Sequence, residues 1–225
     1  MRRRFLGNIQ QPRYMTVEAL EDGVYLSFSG DGLSYSIGEG EWTVLQHSEN
    51  TPTINVGQSI KLKGKNIRTG AITYFSINGR CKLSGTIMSL VYGDAPYEQT
   101  IPTNIDFSNA FYGCPSIVEV SSDFLPATTL THACYMDLFR GCPELTTAPD
   151  LPATELVDSC YYGMFQGCTK LNYIKMLATD ISASNCLNNW VNGVASSGTF
   201  VKNKNATWNV TGDSGVPSGW TIQTV

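Results

Sequence analysis

Three copies of one sequence unit, within residues 111–186, decide the fold. Each copy opens on a Phe-x-Gly-Cys motif and ends on a second cysteine: Phe111-Tyr-Gly-Cys114 with Cys134, Phe139-Arg-Gly-Cys142 with Cys160, and Phe165-Gln-Gly-Cys168 with Cys186. The second cysteines are evenly spaced, since 160 − 134 = 26 and 186 − 160 = 26. A period of about 20–50 residues is typical of a solenoid, in which every unit buries its apolar face against its neighbours.

The spacing of the first cysteines departs from this period once. Cys114 and Cys142 are 28 residues apart, whereas Cys142 and Cys168 are 26 residues apart. The first unit therefore holds two additional residues. We expect them within Ser121-Ser122-Asp123, outside the motifs that the units share.

Each unit is expected to contain a short helix and a short strand. Residues 133–139 and 159–165 suit about two helical turns, because apolar residues four apart, such as Cys134 and Leu138, share a helix face. The glycine before each first cysteine suits the left-handed end of such a helix. Residues 117–120 are expected to form a strand. The Leu-Pro-Ala-Thr motif that begins at Leu125 is the expected connector, because proline cannot donate to a strand ladder.

Outside the repeat, polar and apolar residues alternate from Met15 to about Gly93. Val24, Leu26 and Phe28, for example, alternate with polar neighbours, a pattern typical of strands with one buried face and one wet face. Glycine-containing turn signals recur at short spacing. The pattern predicts an antiparallel β-sandwich.

Four parts of the chain follow from these patterns: a basic N-terminal arm at 1–14, the β-sandwich at 15–95, the repeat solenoid at 96–190 and a C-terminal β cap at 191–225. Short strands are expected in the cap near Thr199 and Trp220. The fold class is therefore expected to be mainly β with short helices (α+β).

Composition and charge limit the classes of function. The chain has 225 residues, of which 42% are hydrophobic and 15% charged, well below the roughly 25% charged residues of ordinary soluble domains. The net charge of −4 argues against a nucleic-acid binder. No apolar run reaches the roughly 20 residues that span a bilayer. The apolar stretch after the first arginines is too short for a secretion signal, so we expect a protein that stays in the cytosol or leaves it inside a particle.

The seven cysteines are expected to be buried, reduced thiols. Their number is odd and six of them lie at equivalent positions of the repeat, which suits thiols that pack as small apolar side chains. Disulfides and a zinc site are the alternatives. The sequence has no Cys-x-x-Cys motif and only two histidines, His47 and His132, so no metal or cofactor is expected.

No catalytic set emerges from the sequence, and we expect no enzyme. Cys134 with His132 is conceivable as a nucleophile and base. However, the residues that correspond to His132 in the next two units are Asp158 and Ser184. The repeat position therefore explains the thiol better than catalysis does. A carboxylate pair for glycoside hydrolysis stays an open alternative, because such pairs meet only in the fold.

Two sets of residues are candidates for binding. The arm carries Arg2, Arg3 and Arg4 followed by Phe5 and Leu6, which could meet carboxylates and an apolar pocket of a partner. The tyrosines after the second cysteines form the other set: Tyr135, Tyr161 and Tyr162. They predict either packing between units or an adhesive surface that stacks on sugar rings or on a partner.

The repeat resembles the BspA-type leucine-rich repeats of gut Bacteroidales and their phages. The resemblance lies in Cys160-Tyr-Tyr-Gly-Met-Phe-Gln-Gly-Cys-Thr-Lys-Leu171 and in Ala148-Pro-Asp-Leu-Pro-Ala-Thr-Glu-Leu156. It covers residues 105–190, and the last unit is degenerate at 176–179. The start of the chain, Met1-Arg-Arg-Arg-Phe-Leu-Gly-Asn8, also resembles virion proteins of Bacteroidales phages, including crAss-like ones.

These resemblances imply a virion structural protein, such as a head fibre, decoration protein or tail appendage. The arm would dock on a capsid, portal or tail protein, and the repeats would face the host surface glycan or protein. A homo-oligomer in the virion, assembled in the host cytoplasm, is expected. The alternatives are a secreted or surface-anchored bacterial adhesin and a carbohydrate-active enzyme module.

Overall fold

A computed structural model describes residues 13–64, 70–71, 74–94 and 99–225. Within these ranges the chain forms thirteen strands and one four-residue helix, which confirms the mainly β prediction. The strands are β1 Met15–Ala19, β2 Tyr25–Phe28, β3 Leu33–Ile37, β4 Thr43–Leu45, β5 Ser59–Gly64, β6 Gly70–Ala71, β7 Phe75–Asn78, β8 Cys81–Ser84, β9 Ile105–Asp106, β10 Ile117–Val120, β11 Tyr173–Met176, β12 Thr199–Lys202 and β13 Thr221–Thr224. Helix α1 is Ser89–Tyr92.

The largest sheet has six strands in the order β10-β8-β1-β5-β3-β4. Its pairs are antiparallel except β8 with β10, which run parallel. The alternation seen in the sequence places Met15, Val17 and Ala19 of β1 in the core. Strands β2 and β7 form a separate antiparallel pair. Because β10 belongs to the first repeat unit, the sheet continues across the boundary expected near residue 95.

The repeat units stack on one another, and we call this part the repeat stack. A rung is one turn segment together with the strand or connector that follows it, so the first three rungs begin near residues 107, 133 and 159. The predicted helical turns are wrong: residues 133–139 and 159–165 form chained turns. Along them, alternate N–H groups make two kinds of bond. The N–H of Met136 donates to the carbonyl of Ala133 in the same rung, whereas the N–H of Tyr135 donates to Cys160 in the next rung.

A left-handed residue at every fourth position explains why no helix forms. In the second rung these residues are Ala133, Asp137 and Gly141, with φ of 53°, 53° and 72°. Helix formation requires right-handed dihedrals at each residue, so these positions interrupt it. The left-handed conformation costs roughly 1–2 kcal/mol for a residue other than glycine. The bonds between rungs hold it in place.

The interior of the stack contains two ladders of aromatic rings. Phe75, Phe111, Phe139 and Phe165 stack in turn, with ring centroids 5.3, 5.4 and 6.0 Å apart and interplanar angles of 15°, 7° and 2°. Phe107, Tyr135 and Tyr161 form the second ladder, with centroids 5.9 and 6.1 Å apart. Such ring pairs contribute about 0.5–1.5 kcal/mol each beyond the area that they bury.

All seven cysteines are free and buried, as predicted. Three thiols form a ladder of their own, because each donates to a phenylalanine carbonyl of the preceding rung. The Sγ atoms of Cys114, Cys142 and Cys168 lie 3.2, 3.2 and 3.0 Å from the carbonyl oxygens of Phe75, Phe111 and Phe139. The repeated cysteine therefore links neighbouring rungs.

The stack extends beyond the repeat at both ends. On the N-terminal side, the N–H groups of Phe75 and Cys81 donate to Ala110 and Ser116 of the first rung. On the C-terminal side, β11, β12 and β13 form a parallel sheet in which Tyr173 pairs with Thr199 and Thr199 with Thr221. The strands expected near Thr199 and Trp220 are confirmed, and they continue the stack.

Candidate functional site

An open groove of about 860 Å³ lies beside the six-stranded sheet. Both the sheet and the connector of the first rung contribute to its walls. The lining residues are Arg13, Tyr14, Thr16, Ser36, Gly38, Glu39, Gly40, Trp42, Lys61, Ser84, Gly85, Ser121 and Asp123. Most of them carry polar side chains.

The aromatic wall of the groove is Tyr14 and Trp42, whose ring centroids lie 4.8 Å apart at an interplanar angle of 67°. Lys63 supports the wall, because its Nζ lies 4.1 Å from the centroid of Trp42 and 2.8 Å from the carboxylate of Asp94. The Tyr14 hydroxyl donates to the same carboxylate at 2.6 Å. These contacts hold both rings in place.

The pKa values of Tyr14 and Asp94 agree with the hydrogen bond between them. Burial, together with the bond to Asp94, raises the pKa of Tyr14 to about 12. The bonds from Lys63 and Tyr14 hold the pKa of Asp94 below its ordinary value. At neutral pH the phenol therefore keeps its proton and the carboxylate keeps its charge.

A close approach of two backbone segments sets the position of Tyr14. Gly85 has a φ of +74°, and a Cβ there would lie 1.7 Å from the carbonyl oxygen of Tyr14. Only glycine fits at this point, because any side chain would meet backbone that cannot move aside. The turn after β8 therefore allows the chain at Tyr14 to run close to the sheet.

Two ion pairs line the groove. The guanidinium of Arg13 donates to the carboxylate of Asp123, and Lys61 Nζ lies 2.5 Å from Glu39. Burial acts to raise the pKa of Asp123, but the bonds from Arg13 and Ser121 outweigh it and hold the pKa below its ordinary value. Each cation thus already has a carboxylate partner.

Asp123 reaches the groove because of the two additional residues of the first rung. The backbone bond from Asp150 to Ser122 spans 28 residues (150 − 122), whereas Leu125 and Leu151, which begin the shared Leu-Pro-Ala-Thr motif, are 26 apart. The insertion therefore lies at Asp123 and Phe124. Phe124 is fully buried against the rings of the phenylalanine ladder, and Asp123 faces Arg13.

Two of the three tyrosines predicted for an adhesive surface lie in the interior of the protein. Tyr135 and Tyr161 are each 1% exposed and stack on one another inside the repeat stack. The packing alternative describes them, and their side chains are not accessible to a ligand. Tyr162 is half-buried. The five arm residues, Arg2, Arg3, Arg4, Phe5 and Leu6, lie outside the described residues.

The cysteine and histidine considered for catalysis do not form an accessible pair. Cys134 is fully buried, and burial raises its pKa to about 12. His132 is exposed, and its Nδ1 lies 3.4 Å from a carboxylate oxygen of Asp158. A thiol that stays protonated in an apolar interior is a poor nucleophile.

Within the described ranges, no cluster of three or more histidine, cysteine, aspartate or glutamate side chains is arranged to hold a metal ion. The same part of the chain contains no helix of the length and apolarity that crossing a membrane requires. No family model, curated protein or solved structure matched the chain.

Sequence reasoning missed the groove because its residues are far apart in the chain. Trp42 lies after β3, Arg13 precedes β1, and Asp123 follows β10. One signal was present in the sequence: the two-residue departure from the 26-residue period marks the place where the rung leaves its regular path.

Proposed function

We propose that the chain is a non-enzymatic phage virion structural protein, such as a head fibre, decoration protein or tail appendage. At the finer level of fold, we propose a β-sandwich followed by a leucine-rich-repeat-like solenoid. The observation that carries the proposal is the in-register stack, in which each rung is joined to the next by backbone bonds along its whole turn segment. Such a stack is a rigid scaffold of fixed length, which suits a part that holds a binding surface away from a particle.

The burial of the cysteine thiols supports a scaffold rather than an enzyme. The repeated thiols are buried, and those of Cys142 and Cys168 donate to carbonyl groups of the neighbouring rung. Burial raises the pKa of Cys160 and Cys168 to about 12. The residue types that define the repeat therefore serve cohesion between rungs, and recognition is left to the outer surface and the groove.

Docking on the particle is proposed for the N-terminal arm, predicted at residues 1–14, except for Arg13 and Tyr14, which line the groove. Its partner would be a capsid, portal or tail protein that offers carboxylates to Arg2–Arg4 and an apolar pocket to Phe5 and Leu6. Deletion of residues 2–8 should abolish incorporation into particles and leave the thermal melt of the purified chain unchanged. Incorporation of the deletion variant at the normal level would refute a docking role of the arm.

The class of protein is tested by locating the chain. Mass spectrometry of purified phage particles and of host envelope fractions should find it in the particles, where a homo-oligomer is expected from the symmetry of fibres and decorations. Recovery only from envelopes, with a processed or extended N-terminus, would instead establish the adhesin alternative. Release of sugars from a host glycan by the purified chain would favour the enzyme alternative.

A further inference from the structure

We propose that the groove between Trp42 and the Arg13–Asp123 ion pair binds a neutral oligosaccharide. This inference deepens the proposed function and rests on its adhesion part, because it names the class of ligand and moves the binding surface from the buried tyrosines to the groove. Its volume of about 860 Å³ lies within the roughly 300–1,000 Å³ that is usual for small-molecule sites.

The charges of the groove favour a neutral ligand. Arg13 and Lys61 are already paired with Asp123 and Glu39. An anionic ligand would have to displace a carboxylate and a cationic ligand would have to displace a cation, so either loses about as much as it gains. Sugar hydroxyls both donate and accept hydrogen bonds. Neighbouring hydroxyls of one sugar can therefore accept from the guanidinium and donate to the carboxylate while the ion pair stays intact.

The aromatic wall favours a ligand with an apolar ring face. Trp42 is half-buried, whereas the other three tryptophans are buried in the repeat stack and its C-terminal extension, with exposures of 0%, 8% and 7%. A tryptophan placed among ion pairs and hydroxyls suits a sugar, which combines a C–H face with a polar rim. Tyr14 and Lys63 hold the indole in position, so little ordering is needed on binding.

The fluorescence of Trp42 can also be used to measure sugar binding. Because the other indoles are buried, an added sugar should change the emission of Trp42 and reduce its quenching by iodide. The probes are maltotriose, mannotriose and N,N′,N″-triacetylchitotriose as neutral trisaccharides, with 3′-sialyllactose as the anionic comparator. We expect at least one neutral trisaccharide to bind with a Kd of about 1 mM or tighter, and more tightly than the anionic probe.

Variants locate the site, and ligand-observed NMR replaces emission where the indole is removed. Trp42→Ala should weaken binding by about ten-fold or more, whereas Trp42→Phe should retain part of it. Asp123→Asn should also weaken binding, because its neutral amide oxygen is a weaker acceptor than the carboxylate and no longer forms an ion pair with Arg13. Tyr112→Ala is the matched control: Tyr112 is an exposed aromatic residue, 39% accessible, on the repeat stack, and its loss should leave sugar binding unchanged.

The inference is overturned if no neutral trisaccharide binds at about 10 mM. Equal binding by wild type and a folded Trp42→Ala variant would overturn it as well, as would tighter binding of the anionic probe. Failure here is distinguishable from failure of the proposed function. A chain that is found in particles but binds no neutral sugar overturns only the groove inference. A chain that binds sugar but is absent from particles refutes the virion proposal and upholds the groove inference.

Discussion

Alkaline pH should unfold this protein through its buried thiols. Burial raises the pKa of Cys81, Cys134, Cys160 and Cys168 to about 12 and that of Cys114 to about 11, from an ordinary value of 9.0. These five side chains are at most 3% exposed. Raising the pH from 8 to 10 therefore moves through the pKa of the thiols in the unfolded chain but not through their pKa in the folded chain.

The direction of the pH effect on stability depends on whether the folded or the unfolded chain retains its thiol protons. Below pH 9 both states hold their thiol protons and the contribution to stability is complete. As the pH rises from 9 towards 12, the unfolded chain releases protons that the folded chain retains, so the unfolded state gains stability. At pH 10 each such thiol lowers the free energy of unfolding by about 1 kcal/mol. The five together lower it by several kcal/mol, which is a large share of the total stability of about 5–15 kcal/mol of a typical domain.

The measurement is guanidinium unfolding at pH 8, 9 and 10 in fresh reductant, followed by tryptophan emission. The unfolding free energy should fall steeply above pH 9, with a slope of several protons. Replacing Cys134 and Cys160 by alanine lowers stability at pH 8 and reduces that slope by about two protons. A free energy of unfolding that changes by less than about 1 kcal/mol between pH 8 and pH 10 would refute the assignment of buried, protonated thiols.

Three further predictions concern single residues. Gly163→Ala should lower the free energy of chemical unfolding by about 2–4 kcal/mol. The reason is that φ is +59° there and the new Cβ would lie 2.1 Å from a carboxylate oxygen of Asp137. The control Gly57→Ala, with φ of +81° and nothing within 4 Å of the new Cβ, should lower it by only about 1 kcal/mol. Phe139→Ala should lower the unfolding free energy by about 3–5 kcal/mol, since it opens a cavity in the middle of the phenylalanine ladder; a loss below about 1 kcal/mol would contradict the packing described. Asp94→Asn should lower the melting temperature more at pH 7 than at pH 2. The lowered pKa of Asp94 contributes stability that is present above its unfolded value of 3.8 and is lost as the pH falls through the folded value. Equal effects at both pH values would contradict the Lys63 and Tyr14 bonds.

The stacking of units could be predicted from sequence because every rung repeats the residues that contact its neighbours. The helical turns could not. Cys134 and Leu138 are four residues apart, which fits one face of a helix, but a chain of turns with a four-residue period places them on one side equally well. Glycine marks the left-handed position at Gly141, whereas Ala133 and Ser159 take the same conformation without any such mark.

The ends of the stack could not be predicted from the sequence for a related reason. Phe75 precedes Phe111 by 36 residues (111 − 75) and Thr221 follows Thr199 by 22 (221 − 199), so neither end keeps the period of 26. Contacts between rungs depend on register in space and not on the length of the connector between them. The groove could not be predicted either, because its walls come from segments that are far apart in the chain and share no local sequence pattern.

The alternation of backbone bonds along each rung limits how such a chain can change during evolution. Odd-numbered N–H groups from Ala133 to Gly141 reach the next rung, and the even-numbered ones close turns within their own rung. Loss or gain of one residue inside this segment would exchange the two roles and misplace every left-handed position beyond it. Length variation is therefore expected in the connectors, where the first rung holds Asp123 and Phe124 as additional residues, or as duplication of complete units. Descendants of this chain should differ in height by whole rungs.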